Sequence, residues 1–366
     1  MSSVFGSART TSGFGGLTQT SSAGTVQDMA NDPTLANPPE DSVSDICFSP
    51  QAEFLSVASW DKKVRIYEVS PQGQSRGVAL YDHQAPVLST HWSLDGTKVA
   101  SGGCDNAVRV FDMQSQQAQQ VGQHESSVRC VRFVAAGPSD TPILASAGWD
   151  KKLHYWDLRT PNPVSTIALP ERAYSMDTSK QLLVVATAER HILAINLSNP
   201  GAVAKTLQSS LKFQTRVVSC WPAGDGFAVG SIEGRCGIQY VDDTQAKNKN
   251  FSFKCHRQTP NPSKNEVDIY AVNAISFHPQ EGTFCTAGAD GSLTFWDKDS
   301  RHRLKGYPQL GCTIPATAFN RDGSIFAYAQ SYDWSKGHSY NNKDIPHTVR
   351  FHQTKAEEVK AKPKRR

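Results

Sequence analysis

A short phrase recurs along this chain and limits its fold more than any other feature. The fullest copy is Ala145-Ser146-Ala147-Gly148-Trp149-Asp150, continuing through Leu153 and Tyr155 to Trp156-Asp157. Related copies run from Ala100 through Asp105 to Asp112, from Thr286 through Asp290 to Asp297, and from Ser59 through Asp61 to Glu68. Two more carry glutamate in the turn, at Glu189 and Glu233. A seventh, Ser331-Tyr332-Asp333, is followed by a longer insert before Val349 and Phe351. The turn acids stand at 61, 105, 150, 189, 233, 290 and 333, spaced by 44, 45, 39, 44, 57 and 43 residues.

Each copy has the chemistry of a hairpin. A strand of small residues ends in Gly or Ala, an acid caps the tight turn, and the next strand alternates apolar and polar. Ahead of most copies lies another strand and turn, such as Val87 to Trp92 before Leu94-Asp95-Gly96. Each period thus supplies about four antiparallel strands. Such a sheet has two apolar faces and cannot bury both alone, so the units stack around an axis. Seven copies predict an all-β, seven-bladed β-propeller. Helical patterns are absent apart from one short turn near Lys355 to Lys360.

Composition narrows the function classes. The net charge of +4 resides in Lys355 to Arg366, which hold six Lys or Arg and two Glu, so the body before them is formally neutral. Any nucleic-acid surface on the body must therefore be a local patch. The eight cysteines, at 47, 104, 130, 220, 236, 255, 285 and 312, form no C-x-x-C pair and read as core residues of a reducing compartment. The longest clean apolar run, Leu182 to Ala186, is far short of a membrane span, and no basic-then-apolar leader marks secretion. The expectation is a soluble intracellular protein without membrane insertion.

The phrase resembles the WD repeat (WD40). In that family a His, a Ser or Thr, the turn Asp and a Trp form a buried hydrogen-bonded set within a blade. One repeat matches fully here, with His124, Ser146, Asp150 and Trp156. The second has His83, Ser101 and Asp105 but Phe111 in place of Trp. The other blades lack more of the set and are expected to rest on apolar packing. A catalytic role for His124, Ser146 and Asp150 would call for a nucleophile elbow and an oxyanion loop, and neither accompanies them. The chain is read as a binding protein, not an enzyme, with no cofactor.

Three segments follow. Residues 1–30 form a Ser/Thr/Gly-rich leader, too polar to order itself, with Phe5-Gly6 and Phe14-Gly15 resembling the Phe-Gly units of nuclear-pore proteins. Residues 31–354 form the propeller, with 31–40 expected to add a strand to the last blade and close the ring. Residues 355–366 form a basic tail, read as an import signal, a nucleic-acid arm or a merely solvated end.

Several motifs outside the general repeat carry a closer resemblance. They are Asn250-Phe251-Ser252-Phe253-Lys254-Cys255-His256-Arg257, Phe326 to His338 with Ser331-Tyr332-Asp333-Trp334-Ser335-Lys336-Gly337-His338, Ala186 to Arg190, and Gly230 to Arg235. Together they resemble the WD-repeat messenger-RNA export factors of the nuclear pore. That resemblance implies a propeller that holds a partly acidic GLEBS segment of a Gly-Leu-Phe-Gly nucleoporin. It also implies residence in the nucleus and at the nuclear envelope with shuttling to the cytoplasm, and a monomeric propeller acting within a heterodimer. A sister family, the spindle-checkpoint propellers, binds similar segments of kinetochore proteins and is the alternative. By resemblance, Arg216 and Arg235 are the residues that meet GLEBS carboxylates, which arginine can grip bidentately.

A second patch gathers Phe253, Lys254, His256, Arg257, Trp296, Lys298, Arg301, Arg303 and Lys305. Cations beside aromatics suit single-stranded RNA, by phosphate neutralisation plus base stacking, or contact with an export receptor. Trp296 also occupies the core WD position. Two other classes make different demands. A ubiquitin-ligase substrate receptor would bring an extra domain for which the chain has no room. A channel metal site would need converging ligands, and Cys255-His256 and the His338 to His347 stretch lack partners.

Overall fold

The computed structural model describes residues 23–260, 262–264 and 266–361. The Phe-Gly pairs at 5–6 and 14–15 and the basic residues 362–366 lie outside them. Six four-stranded antiparallel meanders and a three-stranded one follow in order. Blade 1 runs from Val43 to Asp82, blade 2 from Val87 to Gln123, blade 3 from Val128 to Ala168 and blade 4 from Ala173 to Gln208. Blade 5 runs from Thr215 to Lys254, blade 6 from Val272 to Tyr307 and blade 7 from Thr317 to Gln353.

The missing fourth strand of blade 7 comes from the front of the chain. Thr34 bridges Arg350, the Leu35 amide donates to the Val349 carbonyl at 2.8 Å, and the Phe351 amide to the Pro33 carbonyl at 3.0 Å. The ring is closed by hydrogen bonds between segments at opposite ends of the sequence, which removes an open sheet edge.

Burial explains why the middle strands read as unbroken apolar runs. Every residue of Leu182–Thr187 is buried. Leu183 and Val185 pack toward blade 3, while Leu182, Val184 and Ala186 pack toward blade 5. Both sheet faces are therefore core, as stacking demands. Among the described residues the apolar side chains form seven clusters, one at each seam, with the last joining Phe351 of blade 7 to Val57 of blade 1. Five of the eight cysteines are buried in this packing.

Both boundaries of the propeller shift. Residues 26–30, assigned by composition to the leader, form a helix whose Met29 is 2% exposed and belongs to the cluster between blades 6 and 7. The short turn expected near 355–360 is a helix over Ala356–Val359, and its Val359 enters the same cluster. A single apolar anchor in each polar segment is what composition averages away. The long spacing between Glu233 and Asp290 holds two features not expected from the pattern. One is a helix over Asp243–Lys249, capped by the Asp242 carboxylate on the Thr244 and Gln245 amides. The other is a small hairpin pairing Arg257–Gln258 with Asp268–Ile269.

Candidate functional site

Hydrogen-bonded sets within the blades decide which polar residues are free to act. In blade 3, His124 Nδ1 lies 2.9 Å from Asp150 and Nε2 lies 2.7 Å from Ser146 Oγ, which also accepts from Trp156 Nε1 at 2.7 Å. In blade 2 His83 makes the same contacts, and Tyr81 donates its hydroxyl to Ser101 at 2.9 Å where the indole would stand. Tyr81 stacks flat on Phe111, with ring centres 5.1 Å apart. Burial lowers the pKa of His124, against the pull of Asp150. These residues hold the loop between blades onto the turn.

A second complete set, not expected from the sequence, stands in blade 6. His256 lies 2.9 Å from Asp290 and 3.0 Å from Thr286 Oγ1, and Trp296 Nε1 donates to the same hydroxyl at 3.0 Å. The 57-residue spacing hides it, because it sets His256 34 residues ahead of its acid, against 22 and 26 in blades 2 and 3. His256 therefore leaves the expected RNA patch: it is 6% exposed and engaged at both nitrogens. Phe253 and Trp296 leave it too, at 1% and 5% exposure, packed on each other 4.6 Å apart in the core between blades 5 and 6. His124, Asp150 and His154 bring three potential metal-ligating atoms within 4.8 Å of one another. His124 and Asp150 belong to the blade set, and His154 Nδ1 pairs with Thr166 at 2.7 Å.

The remaining basic residues divide among three places. Lys298 and Arg301 sit on the loop between the last two strands of blade 6, at the edge of the seam with blade 5. The Lys298 ammonium lies 5.1 Å from the Trp221 ring and the Arg301 guanidinium 4.6 Å from Phe251. Lys249, from the capped helix of blade 5, adds a third pair over Tyr240 at 5.0 Å. Lys254, Arg257 and Arg303 line a hollow of about 690 Å³ on the outer wall. There the Arg257 guanidinium is engaged with the carbonyls of Glu233, at 2.7 Å, and Gly234. Lys305 turns to the other seam and pairs with Glu357 of the C-terminal helix at 3.0 Å. The nine residues do not form one patch, because successive strand positions face opposite seams.

Arg216 and Arg235 do not converge either. Arg216, on the innermost strand of blade 5, reaches across the channel to Asn273 Oδ1 at 3.3 Å and the Asp333 carbonyl at 3.2 Å. Arg235 is on the third strand, 3.6 Å from Glu233. The neighbour of Arg216 is Arg129 of blade 3. Both line a hollow of about 180 Å³ at the channel mouth, walled by Trp60, Trp149, Tyr332 and Trp334. Trp60 and Trp334 stack with ring centres 4.1 Å apart. Burial lowers the pKa of Arg216, Asp333 opposes, and the Arg129 charge adds to the lowering. Among the described residues neither guanidinium has a carboxylate within ion-pair distance; the Asp333 carboxylate, whose charge acts on Arg216, accepts from Asn273 Nδ2 at 2.8 Å.

Sequence carries a signal for this mouth within the repeat itself. Trp60, Trp149 and Tyr332 each immediately precede a turn acid, and the repeat places that position on one face. Below the mouth, a central cavity of about 630 Å³ is lined by the innermost strands. In it Arg132 is 3.3 Å from Asp177 and 4.0 Å from Asp45.

The repeat model described as "WD domain, G-beta repeat" matches residues 33–68, 74–112, 115–157 and 266–297, the four blades with the fullest phrases. Similarity to known proteins extends well beyond those four. The chain is 55% identical to the "Poly(A)+ RNA export protein" of Schizosaccharomyces pombe over 96% of this chain and 99% of that one. The chain belongs to the WD-repeat mRNA export factor family. The "mRNA export factor GLE2" of Chaetomium thermophilum is 50% identical over 96% of this chain and 98% of its own. The "mRNA export factor" of Danio rerio is 42% identical over 99% and 100%. Membership in this family covers all seven blades, including blades 4, 5 and 7 that the repeat model passes over.

Proposed function

We propose that the protein is an adaptor in messenger-RNA export at the nuclear pore, holding a GLEBS segment of a nucleoporin on the face of its turn acids and RNA at the opposite edge. The observation that carries the first half is the channel mouth. Two guanidiniums with no carboxylate in ion-pair range are walled by three tryptophans and a tyrosine, a setting that favours an acidic side chain flanked by apolar ones. Arg216 and Arg129 are the principal cations. Arg235 contributes at the rim, where it exchanges Glu233 for a partner carboxylate. RNA is held through Lys298, Arg301 and Lys249 by phosphate neutralisation, with the half-buried Phe251 ring beside Arg301 as the face for stacking. The protein works by binding and passes between nucleus and cytoplasm with its cargo. No helix among the described residues is long and apolar enough to cross a membrane.

Titration with a GLEBS peptide tests the first half. Arg216→Glu and Arg129→Glu should each abolish tight binding, and Arg235→Glu should weaken it less. Equal binding by a folded Arg216→Glu variant would overturn the assignment of the mouth. Failure of the wild type to bind would overturn the nucleoporin reading itself.

A further inference from the structure

One turn acid stands apart from the other six. Asp61, Asp105, Asp150, Glu233 and Asp290 have side chains at most 15% exposed, each paired with an arginine or a histidine. Asp333 is buried against Asn273. The Glu189 side chain of blade 4 is 74% exposed, and among the described residues its one ion-pair contact is His191, at 3.8 Å.

Two local changes turn it outward. The Leu169 amide bonds to the Lys151 carbonyl as His83 bonds to Lys62 and His124 to Asn106, so Leu169 stands where those histidines stand. Its apolar side chain offers a carboxylate no partner. The backbone differs as well. In blades 1 to 4 the residue after the acid is left-handed (Lys62, Asn106, Lys151 and Arg190), but Glu189 is the one turn acid that is left-handed itself, at φ 58°. Residues with a Cβ avoid this region, and such outliers gather at binding sites, where the surroundings hold them.

The turn is fastened at three points to residues 208–211. Gln208 Nε2 donates to the Glu189 carbonyl at 3.0 Å, the Ser209 amide to the Arg190 carbonyl at 2.8 Å, and the Arg190 guanidinium to the Leu211 carbonyl at 3.1 Å. Residues 209–214 lead from blade 4 to blade 5 and carry the exposed Phe213. At their far end the Gln214 carbonyl accepts the amide of Ile232, also exposed, at 3.1 Å. The turn-acid face of blades 4 and 5 thus presents a fixed carboxylate, joined through one hydrogen-bonded connection to two bare apolar side chains.

We propose that Glu189, Phe213 and Ile232 form a docking surface for one basic residue flanked by apolar ones in an extended protein segment. This rests on the reading above of the turn-acid face as the seat of a nucleoporin segment. It orients that segment, with the acidic stretch over Arg216 and Arg129 and a lysine or arginine over Glu189. A carboxylate repels a phosphate backbone, so the surface suits protein and not nucleic acid. Lys212, exposed beside Phe213, disfavours a run of basic residues and selects a single one.

The test is titration of a fluorescein-labelled GLEBS peptide into the full chain and its Glu189→Asn and Glu189→Lys variants, each checked by thermal melting. The peptide is used unchanged and with each lysine or arginine replaced singly by glutamine. Asparagine tolerates the left-handed backbone and removes the charge, so Glu189→Asn should melt no lower than wild type. Its binding should weaken about two- to fivefold. The like charge of Glu189→Lys should cost about tenfold. One substituted peptide should bind wild type as weakly as the unchanged peptide binds Glu189→Asn, and combining the two should cost nothing further. Wild-type affinity in both variants, with binding still abolished by Arg216→Glu, overturns the docking surface and leaves the nucleoporin reading standing. The surface falls equally if the loss adds independently to every peptide substitution, or if the variants alter binding of oligouridylate and not of the peptide. No binding by the wild type overturns both.

Discussion

Replacing His352 should loosen the closure of the ring in a way that depends on pH. His352 lies in the third strand of blade 7 with its side chain 3% exposed. Its Nδ1 donates to Asp32 at 3.0 Å and its Nε2 to Glu358 at 3.1 Å, so both ring nitrogens carry protons and the imidazole is a cation. Asp32 also accepts from the Tyr328 hydroxyl at 3.0 Å, and Glu358 from Tyr307 and from the Lys355 amide. One buried cation thus ties the N-terminal segment and the C-terminal helix to blade 7. Burial disfavours the charge, but the hydrogen bonds and charges of Asp32 and Glu358 outweigh it, and the pKa is raised from 6.5 to about 9.

A group whose folded pKa exceeds its unfolded value contributes fully below the unfolded value and stops contributing as pH rises through the folded one. The latch is therefore complete below about 6.5 and lost by about 9. At 1.36 kcal/mol per unit, a rise from 6.5 to about 9 corresponds to about 3 kcal/mol. On the acid side Glu358, whose pKa is lowered despite burial by its bonds to His352, contributes above its ordinary range and stops as pH falls through it. Stability should peak in mildly acidic solution. Denaturant titrations of wild type and His352→Gln across this range measure the effect. The gap between them should shrink by about 3 kcal/mol from about pH 6.5 to about 9. Hydrogen exchange at the Leu35 and Phe351 amides, which make the closure, should follow the same curve. A gap that does not vary with pH would refute the charged latch and leave His352 a packing residue only.

Three further outcomes are expected. Ser146→Ala removes the hydroxyl that meets both His124 and Trp156, leaving the Trp156 N–H and the His124 Nε2 acceptor buried and unpaired, and should cost about 2–4 kcal/mol in urea denaturation. Trp334 holds a left-handed backbone (φ 61°) beneath its stack on Trp60, so Trp334→Gly should be less destabilising than Trp334→Ala by about 1 kcal/mol. Both should weaken GLEBS-peptide binding in the titration above. A Cβ added at Gly122 would stand 2.7 Å from the Trp156 ring, so Gly122→Ala should cost about 1–3 kcal/mol by overpacking and change the tryptophan fluorescence.

The repeat was legible because its signal is periodic and local: seven turn acids, small residues before them and alternation after them. Ring closure by residues 31–40 was legible from topology alone, since an open blade would leave an unpaired edge. The site was harder to read because function here depends on which seam a side chain faces, and that changes with each residue along a strand. Lys305 and Arg303 illustrate it. They are two positions apart, yet a register irregularity between Phe295 and Trp296 sets Arg303 opposite Trp296 and Lys305 opposite Phe295, on opposite sides of blade 6. In an unbroken strand they would share a face and belong together. A charge count cannot see a bulge. For Arg216 the obstacle was distance in sequence: its partners Asn273 and Asp333 belong to blades 6 and 7, and Arg129 to blade 3. The innermost strands converge at the axis, so residues remote in the repeat become neighbours there. The channel mouth follows from closing the ring, and no single blade contains it.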